Sequence, residues 1–124
     1  MLPVCDFLSI NCVSTPQTRF ALNAARLALL PRGAVVVNTA RGDIVDEAAL
    51  MAALNSGALA GVGLDVYQAE PRINPLWRAT KNSFLLPHLG SATFETRAAM
   101  GFKALDNLEA FFAGREPPDS IRQI

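Results

Sequence analysis

The run Ala34-Val35-Val36-Val37-Asn38-Thr39 constrains the fold more than any other stretch of the chain. Consecutive β-branched residues are stiff at χ1 and suit a strand better than a helix. The run is continuous rather than alternating, the pattern of a strand covered on both faces, as in a parallel sheet between helices. It ends in the polar, glycine-containing Thr39-Ala40-Arg41-Gly42. Asp46-Glu47 then puts negative charge where a helix begins and its dipole favours it. Leu50, Ala53 and Leu54 form the inner stripe of that helix, and Gly57 ends it.

The same alternation recurs along the chain. Asp6 to Cys12 (DFLSINC) reads as a strand. Thr15-Pro16 is a helix start, with a short helix over Thr18 to Leu22. Asn23 caps a second, running to Leu30 with Leu27 and Leu30 inward, and Pro31-Arg32-Gly33 turns the chain. Leu59 to Val66 (LAGVGLDV) is a third strand, where Gly61 and Gly63 allow close approach of a helix or ligand. Tyr67 to Lys81 is a long connection, a length that in a compact domain usually serves function. Phe84 to Leu86 is a fourth strand. A long helix follows from about Thr93 to Ala113, with Phe94, Ala98, Phe102, Leu105, Leu108 and Phe112 at helical spacing, Gly114 as its cap and Pro117-Pro118 as its stop. The tail, Asp119 to Ile124, is expected to be irregular.

Strands alternating with helices imply an α/β fold with right-handed parallel crossovers. Parallel strands have their C-terminal ends along one edge. Asn38 to Arg41, Asp65 to Glu70 and His88 to Ser91 therefore converge on one rim, where open α/β sheets place their chemistry. With 124 residues, 51% of them hydrophobic and 18% charged, and a formal net charge of zero, the chain is globular and gives no sign of nucleic-acid or membrane-surface partners. Arg32 and Arg41 interrupt the longest apolar candidate for a membrane span. Residues 1–6 lack the basic region of a secretory signal. Cys5 and Cys12 do not form a metal spacing and read as reduced, partly buried thiols of a cytoplasmic protein.

Arg41, Glu70 and His88 make a coherent chemical set. A guanidinium holds a carboxylate through two parallel hydrogen bonds. The only histidine, after Pro87 and before the helix-start residues Gly90, Ser91 and Thr93, can protonate a carbonyl oxygen near neutral pH. A glutamate on its far ring nitrogen would fix the tautomer. Together they suit reduction of a 2-oxo acid. Each also has a plainer reading: His88 as a surface residue capping a turn, Arg41 as a cap on strand carbonyls, Glu70 as a solvated loop acid, and Asp65 as an acceptor for turn amides.

Three motifs carry a family resemblance. Val37-Asn38-Thr39-Ala40-Arg41-Gly42-Asp43-Ile44-Val45-Asp46-Glu47 resembles the arginine signature of the D-isomer-specific 2-hydroxyacid dehydrogenases. Gly63-Leu64-Asp65-Val66 through Glu70-Pro71 resembles their aspartate and glutamate signature, and Pro87-His88-Leu89-Gly90-Ser91-Ala92-Thr93 their histidine signature. The closing helix and the GREPPD tail are most similar to the glyoxylate/hydroxypyruvate reductase branch. The resemblance implies that Arg41 binds the substrate carboxylate and carbonyl, that His88 is the general acid–base, and that Glu70 is its partner. It implies that Asp65 bonds a nicotinamide carboxamide, and that Thr39, Ala40 and Gly90, with Val13, Arg41 and His88, line the cofactor, NAD or NADP. Glu70 argues against formate dehydrogenases, which carry glutamine there. A homodimer of the full-length protein is implied as well.

The pattern departs from the family in places. Asn11 and Val13 stand where many members have histidine and proline. No glycine-rich G-x-G-x-x-G turn for pyrophosphate occurs, and with it the position that chooses between NAD and NADP is missing. The expected architecture is thus the second half of a Rossmann-like doubly wound sheet of about four parallel strands over residues 1–92, with a long returning helix and tail over 93–124. Val35 and Val37 point one way and Val36 the other, so one apolar face is expected to be bare unless the last helix covers it, which invites self-association or instability. A C-terminal fragment of an NAD(P)-dependent 2-oxo acid reductase is the leading reading. The alternatives are an inactive truncated fragment and a non-catalytic NAD-linked interaction module.

Overall fold

The computed structural model describes residues 1–121. Its four strands, β1 (Phe7–Ile10), β2 (Ala34–Asn38), β3 (Leu59–Leu64) and β4 (Ser83–Leu85), form one sheet in the order β1-β2-β3-β4. Every neighbouring pair is parallel, as the strand–helix alternation requires. Helices α1 (Ala24–Leu27) and α2 (Glu47–Asn55) supply crossovers, and α3 (Phe94–Phe112) follows the sheet. The chain divides into two compact units, Met1–Gly90 and Ser91–Ile124.

In the first unit the core lies on one side of the sheet. Ile10, Val36, Val62 and Leu64 are buried there with Leu27 of α1 and Leu50 and Leu54 of α2. The caps explain where the helices begin. Asn23 accepts a hydrogen bond from the Arg26 amide and Asp46 one from the Ala49 amide, each satisfying a donor that the first turn leaves free.

The expectation that β2 is buried on both faces needs correction. Ala34, Val36 and Asn38 are buried, but Val35 and Val37 are only half-buried. Register puts Val35 beside Phe7 and Gly61, Val37 beside Gly63, and Gly63 beside Phe84. Phe7 and Phe84 are exposed. This second face is apolar and carries two exposed rings.

Other boundaries also shift. The expected helix over Thr18 to Leu22 is a hydrogen-bonded turn. Thr18 Oγ1 accepts from the Thr15 amide and donates to the Val13 carbonyl, each at 2.7 Å. Phe20 adopts φ +51°, and the Phe20 and Leu22 amides donate across to the Asp43 and Ile44 carbonyls. Donors spent sideways are not available to a helix. Helix α1 ends at Leu27, short of Leu30, because the Leu29 and Leu30 amides tighten onto carbonyls three residues back. β1, β2 and β3 are shorter than expected and β4 begins and ends one residue earlier, although the Asp65 amide still donates to Asn38 O and the Leu86 amide to Leu64 O. Cys5 is half-buried as anticipated, but Cys12 is exposed, and both are free thiols.

The long connection after β3 is anchored rather than loose. Asn74 caps a 3-10 helix, Pro75–Ala79, that buries Trp77 to 1% exposure. The indole Nε1–H donates to Glu47 Oε1 at 2.6 Å, tying the connection to the first turn of α2.

In the second unit, Thr93 caps α3 by accepting from the Thr96 amide, and Gly114 takes φ +66° just past its end. Asn107 and Asp119 exchange hydrogen bonds in both directions, and Lys103 pairs with Asp119. Ala110 is buried, whereas Phe94, Phe102, Leu108 and Phe112 are exposed. Of the tail expected to be irregular, Asp119 to Ile121 has neither helix nor strand, and the remaining three positions lie outside the described residues. No helix among the described residues is long and apolar enough to cross a membrane.

The Trp77 anchor is open to test by urea denaturation. Trp77→Ala is expected to lower stability by about 3–5 kcal/mol through the cavity it leaves. Trp77→Phe keeps most of the buried ring but strands the Glu47 carboxylate, and should cost about 1–3 kcal/mol.

Candidate active site

The rim is built first by the end of β2. Asn38 is buried, and its side chain closes the following turn: Nδ2 donates to Arg41 O at 2.9 Å, and Oδ1 accepts from the Ala40 amide at 3.0 Å. Arg41 leaves this turn with extended backbone and an exposed side chain. Its Nη1 donates to the Ala40 carbonyl at 2.6 Å, which belongs to the turn past the end of β2 and not to the strand that the plainer reading has it cap. Gly42 admits no side chain, since a Cβ there would lie 2.0 Å from the Tyr67 carbonyl carbon and 2.4 Å from the Gln68 nitrogen. The loops after β2 and β3 are thus pressed together backbone to backbone just beside Arg41.

The loop after β3 supplies the acid. The Tyr67 amide donates to Glu70 Oε1 at 2.8 Å, while the Tyr67 hydroxyl donates to Leu86 O at 2.8 Å. One residue therefore fixes Glu70 and holds the end of β4 next to it. Beyond β4, His88 stands in the left-handed region at φ +59°, and its Nδ1 lies 2.6 Å from Glu70 Oε2. Asp65, 4% exposed, accepts from the Leu89 amide at 2.6 Å through Oδ1 and from the Gly90 amide at 2.8 Å through Oδ2.

Partial burial pushes the Glu70 carboxyl up, but the hydrogen bonds from His88 and the Tyr67 amide, with the charges of His88 and Arg41, outweigh it, and the group lies below the usual glutamate range. An ionised carboxylate only accepts hydrogen bonds, so Nδ1 carries the shared proton and Nε2 is left for other partners. Burial, then the charge of Asp65, push the Tyr67 phenol up, so it stays a neutral donor. Arg41 forms no ion pair with a carboxylate among the described residues.

Two open clefts meet at this arginine. One, of about 430 Å³, is lined by Ser14, Arg41, Glu70 and His88 together with Gly42, Asp43, Tyr67 and Gln68. The other, of about 440 Å³, lies between the loops after β1 and β2 and is lined by Asn11 to Ser14 and Thr39 to Arg41. The structure so brings Arg41, Glu70 and His88 to one cleft, and Val13, Thr39 and Ala40 to its neighbour. Asp65 and Gly90 meet each other behind His88. Sequence reasoning passed over Asn38, Gly42 and Tyr67 as builders of the site. An asparagine closing a run of valines was a readable signal for the first. Nothing local announces the contact of Gly42 with residues 25 or more positions away.

Two outcomes follow from this geometry. Gly42→Ala should destabilise the chain by about 1–3 kcal/mol or more, read from its melting curve, because backbone rather than a side-chain tip must yield. Glu70 contributes stability above the ordinary carboxylate pKa, and that contribution is lost as pH falls through its lower folded value. The stability gap between the wild-type chain and Glu70→Gln should therefore narrow on acidification through the carboxylate range, measured by urea denaturation across pH.

Comparison with known proteins places this arrangement. The profile of the D-isomer specific 2-hydroxyacid dehydrogenase, NAD binding domain, matches residues 1–90. The glycerate dehydrogenase of Hyphomicrobium methylovorum is 47% identical over 94% of this chain and 36% of its own length. The glyoxylate reductase of Thermococcus kodakarensis is 42% identical over 95% of the chain and 35% of its own length. The solved NADPH-dependent glyoxylate/hydroxypyruvate reductase of Sinorhizobium meliloti, in complex with citrate, superposes with a TM-score of 0.86 at 40% identity, covering 94% of this chain and 36% of that one. The chain spans little more than a third of the length of these relatives. With an α/β parallel sheet of the same fold and a family match over most of its length, the chain belongs to the D-isomer-specific 2-hydroxyacid dehydrogenases.

Proposed function

We propose that this chain carries the catalytic edge of an NAD(P)-dependent oxidoreductase that reduces a small 2-oxo acid, of the glyoxylate or hydroxypyruvate kind, to a D-2-hydroxy acid. The observation that carries the reading is an arginine that forms no ion pair among the described residues, in the same cleft as a histidine whose Nδ1 is taken by a glutamate. A cationic fork and a proton donor in one cleft suit a substrate with a carboxylate beside a carbonyl. The names of the glycerate dehydrogenase and glyoxylate reductase relatives support the same substrate class.

The residues present fit the nicotinamide end of a dinucleotide. The cleft lined by Val13, Thr39, Ala40 and Arg41 adjoins the one that holds His88 through Arg41 itself. Asp65 retains lone pairs on both oxygens for a carboxamide, and Gly90 keeps the backbone close. A reduced nicotinamide supplies the hydride when bound. Arg41 binds and orients the substrate carboxylate. His88 holds a proton on Nε2 and gives it to the carbonyl oxygen as that oxygen gains negative charge. Glu70 holds the ring through Nδ1, which leaves Nε2 as the nitrogen free to face the substrate. The same reading takes the full-length protein as a cytoplasmic homodimer; free thiols accord with the compartment.

The test is oxidation of NADH and of NADPH by glyoxylate or hydroxypyruvate, with His88→Ala alongside. Loss of a general acid should lower turnover by about 10²–10⁴-fold. Turnover that survives in His88→Ala would remove His88 from the role. A chain that neither turns over nor binds NADH would favour the inactive fragment.

A further inference from the structure

We infer that Asp65 is a positioning residue for His88, acting through the two backbone amides that follow the histidine. Three observations converge. His88 has φ +59°, a conformation that a side chain with a Cβ adopts at a cost and keeps only where its surroundings over-determine it. The next two amides, of Leu89 and Gly90, donate one each to the two oxygens of Asp65, at 2.6 and 2.8 Å. Asp65 is itself buried to 4% exposure at the end of β3, one strand away from the loop it holds. A charged acceptor on two successive amides is a strong, directional clamp. It is set from the sheet rather than from the loop, so it fixes the turn relative to Glu70, which leaves the same strand end five residues later.

The consequence lies in the imidazole. Its side chain is 45% exposed and that of Glu70 32%, so their contact draws little on packing. A 2.6 Å separation between Nδ1 and Oε2 needs the ring to be delivered by its backbone. Without the clamp, residue 88 relaxes toward ordinary negative φ, and the ring swings off Glu70. Gly90 belongs to the same device, because a Cβ there would stand 3.2 Å from Asp65 Oδ2 and press on the carboxylate.

This inference deepens the reading above and rests on its assignment of His88 and Glu70 to one site, but its test uses no turnover, so the two fail separately. His88 is the only histidine in the sequence, which makes its ring signals unambiguous in nitrogen-15 NMR of the full 124-residue chain. The wild-type chain should show an exchange-protected, downfield Nδ1–H proton. Asp65→Asn is nearly isosteric but turns an NH₂ toward one of the two amides. It should abolish that proton signal while the resonances of β1, β2 and α2 stay in place. Glu70→Gln should weaken the same signal without disturbing the Leu89 and Gly90 amides. A wild-type imidazole signature in Asp65→Asn would overturn the inference. A second reading needs no variant: the Leu89 and Gly90 amides of the wild-type chain should resist hydrogen exchange although both residues are exposed, and exchange at the rate of open loop amides would overturn it equally.

Discussion

The in-register parallel pairing of β2, β3 and β4 is the constraint on which everything else depends. Asn38 pairs with Leu64 and Leu64 with Leu85, so three strands end at nearly the same height. Each is followed within a few residues by one side chain of the candidate site: Arg41, Glu70 and His88. Strand spacing is about 5 Å, which puts the three loops within side-chain reach without any long excursion. A slip of one residue in either pairing would turn Val36, Val62 and Leu64 out of the core. The burial that stabilises the sheet therefore also fixes the alignment of the rim.

Above the sheet, the loops are held by contacts between backbones and buried side chains rather than by the charged groups that do chemistry. Asn38 closes the turn before Arg41, Gly42 lets that turn lie against Tyr67 and Gln68, and Tyr67 ties both Glu70 and the end of β4. Trp77 pins the remainder of the connection to α2. Arg41, Glu70 and His88 themselves stay exposed. Rigidity comes from beneath, which is how a site can be ordered before anything binds.

Much of this was legible because the relevant signals are local. The valine run gave β2, Asn23 and Asp46 gave two helix starts, and Thr93 with Gly114 bracketed α3. Arg41, Glu70 and His88 were readable since each follows a strand in a chain whose strands must be parallel. The failures have the opposite cause. Thr18 to Leu22 carries a sound helix start, but its amides find carbonyls more than 20 residues away, at Asp43 and Ile44, and no local pattern reports that. The β2 run looks like a strand buried on both faces because its composition is set by the apolar character of both sides, whereas burial also depends on what lies against them. The pairing of Trp77 with Glu47 joins two segments each of which reads as ordinary alone.

Arg41 shares its cleft with two acids, Asp43 and Glu70. The chain is neutral overall, so no long-range field draws an acid to the rim. What matters is that the rim's charges are not mutually satisfied. Asp65 is spent on two amides, Glu70 on His88 and the Tyr67 amide, and Asp43 accepts from Ser14. Among the described residues Arg41 donates to a neutral carbonyl and forms no ion pair, while its charge still acts on Glu70. In the proposed reaction a substrate carboxylate would exchange a weak neutral acceptor for an ionised one, and charge-assisted bonds are roughly twice as strong. On the proposed reading, a 2-oxo acid would meet both groups at once, the Arg41 guanidinium at its carboxylate and the imidazole held by Glu70 at its carbonyl.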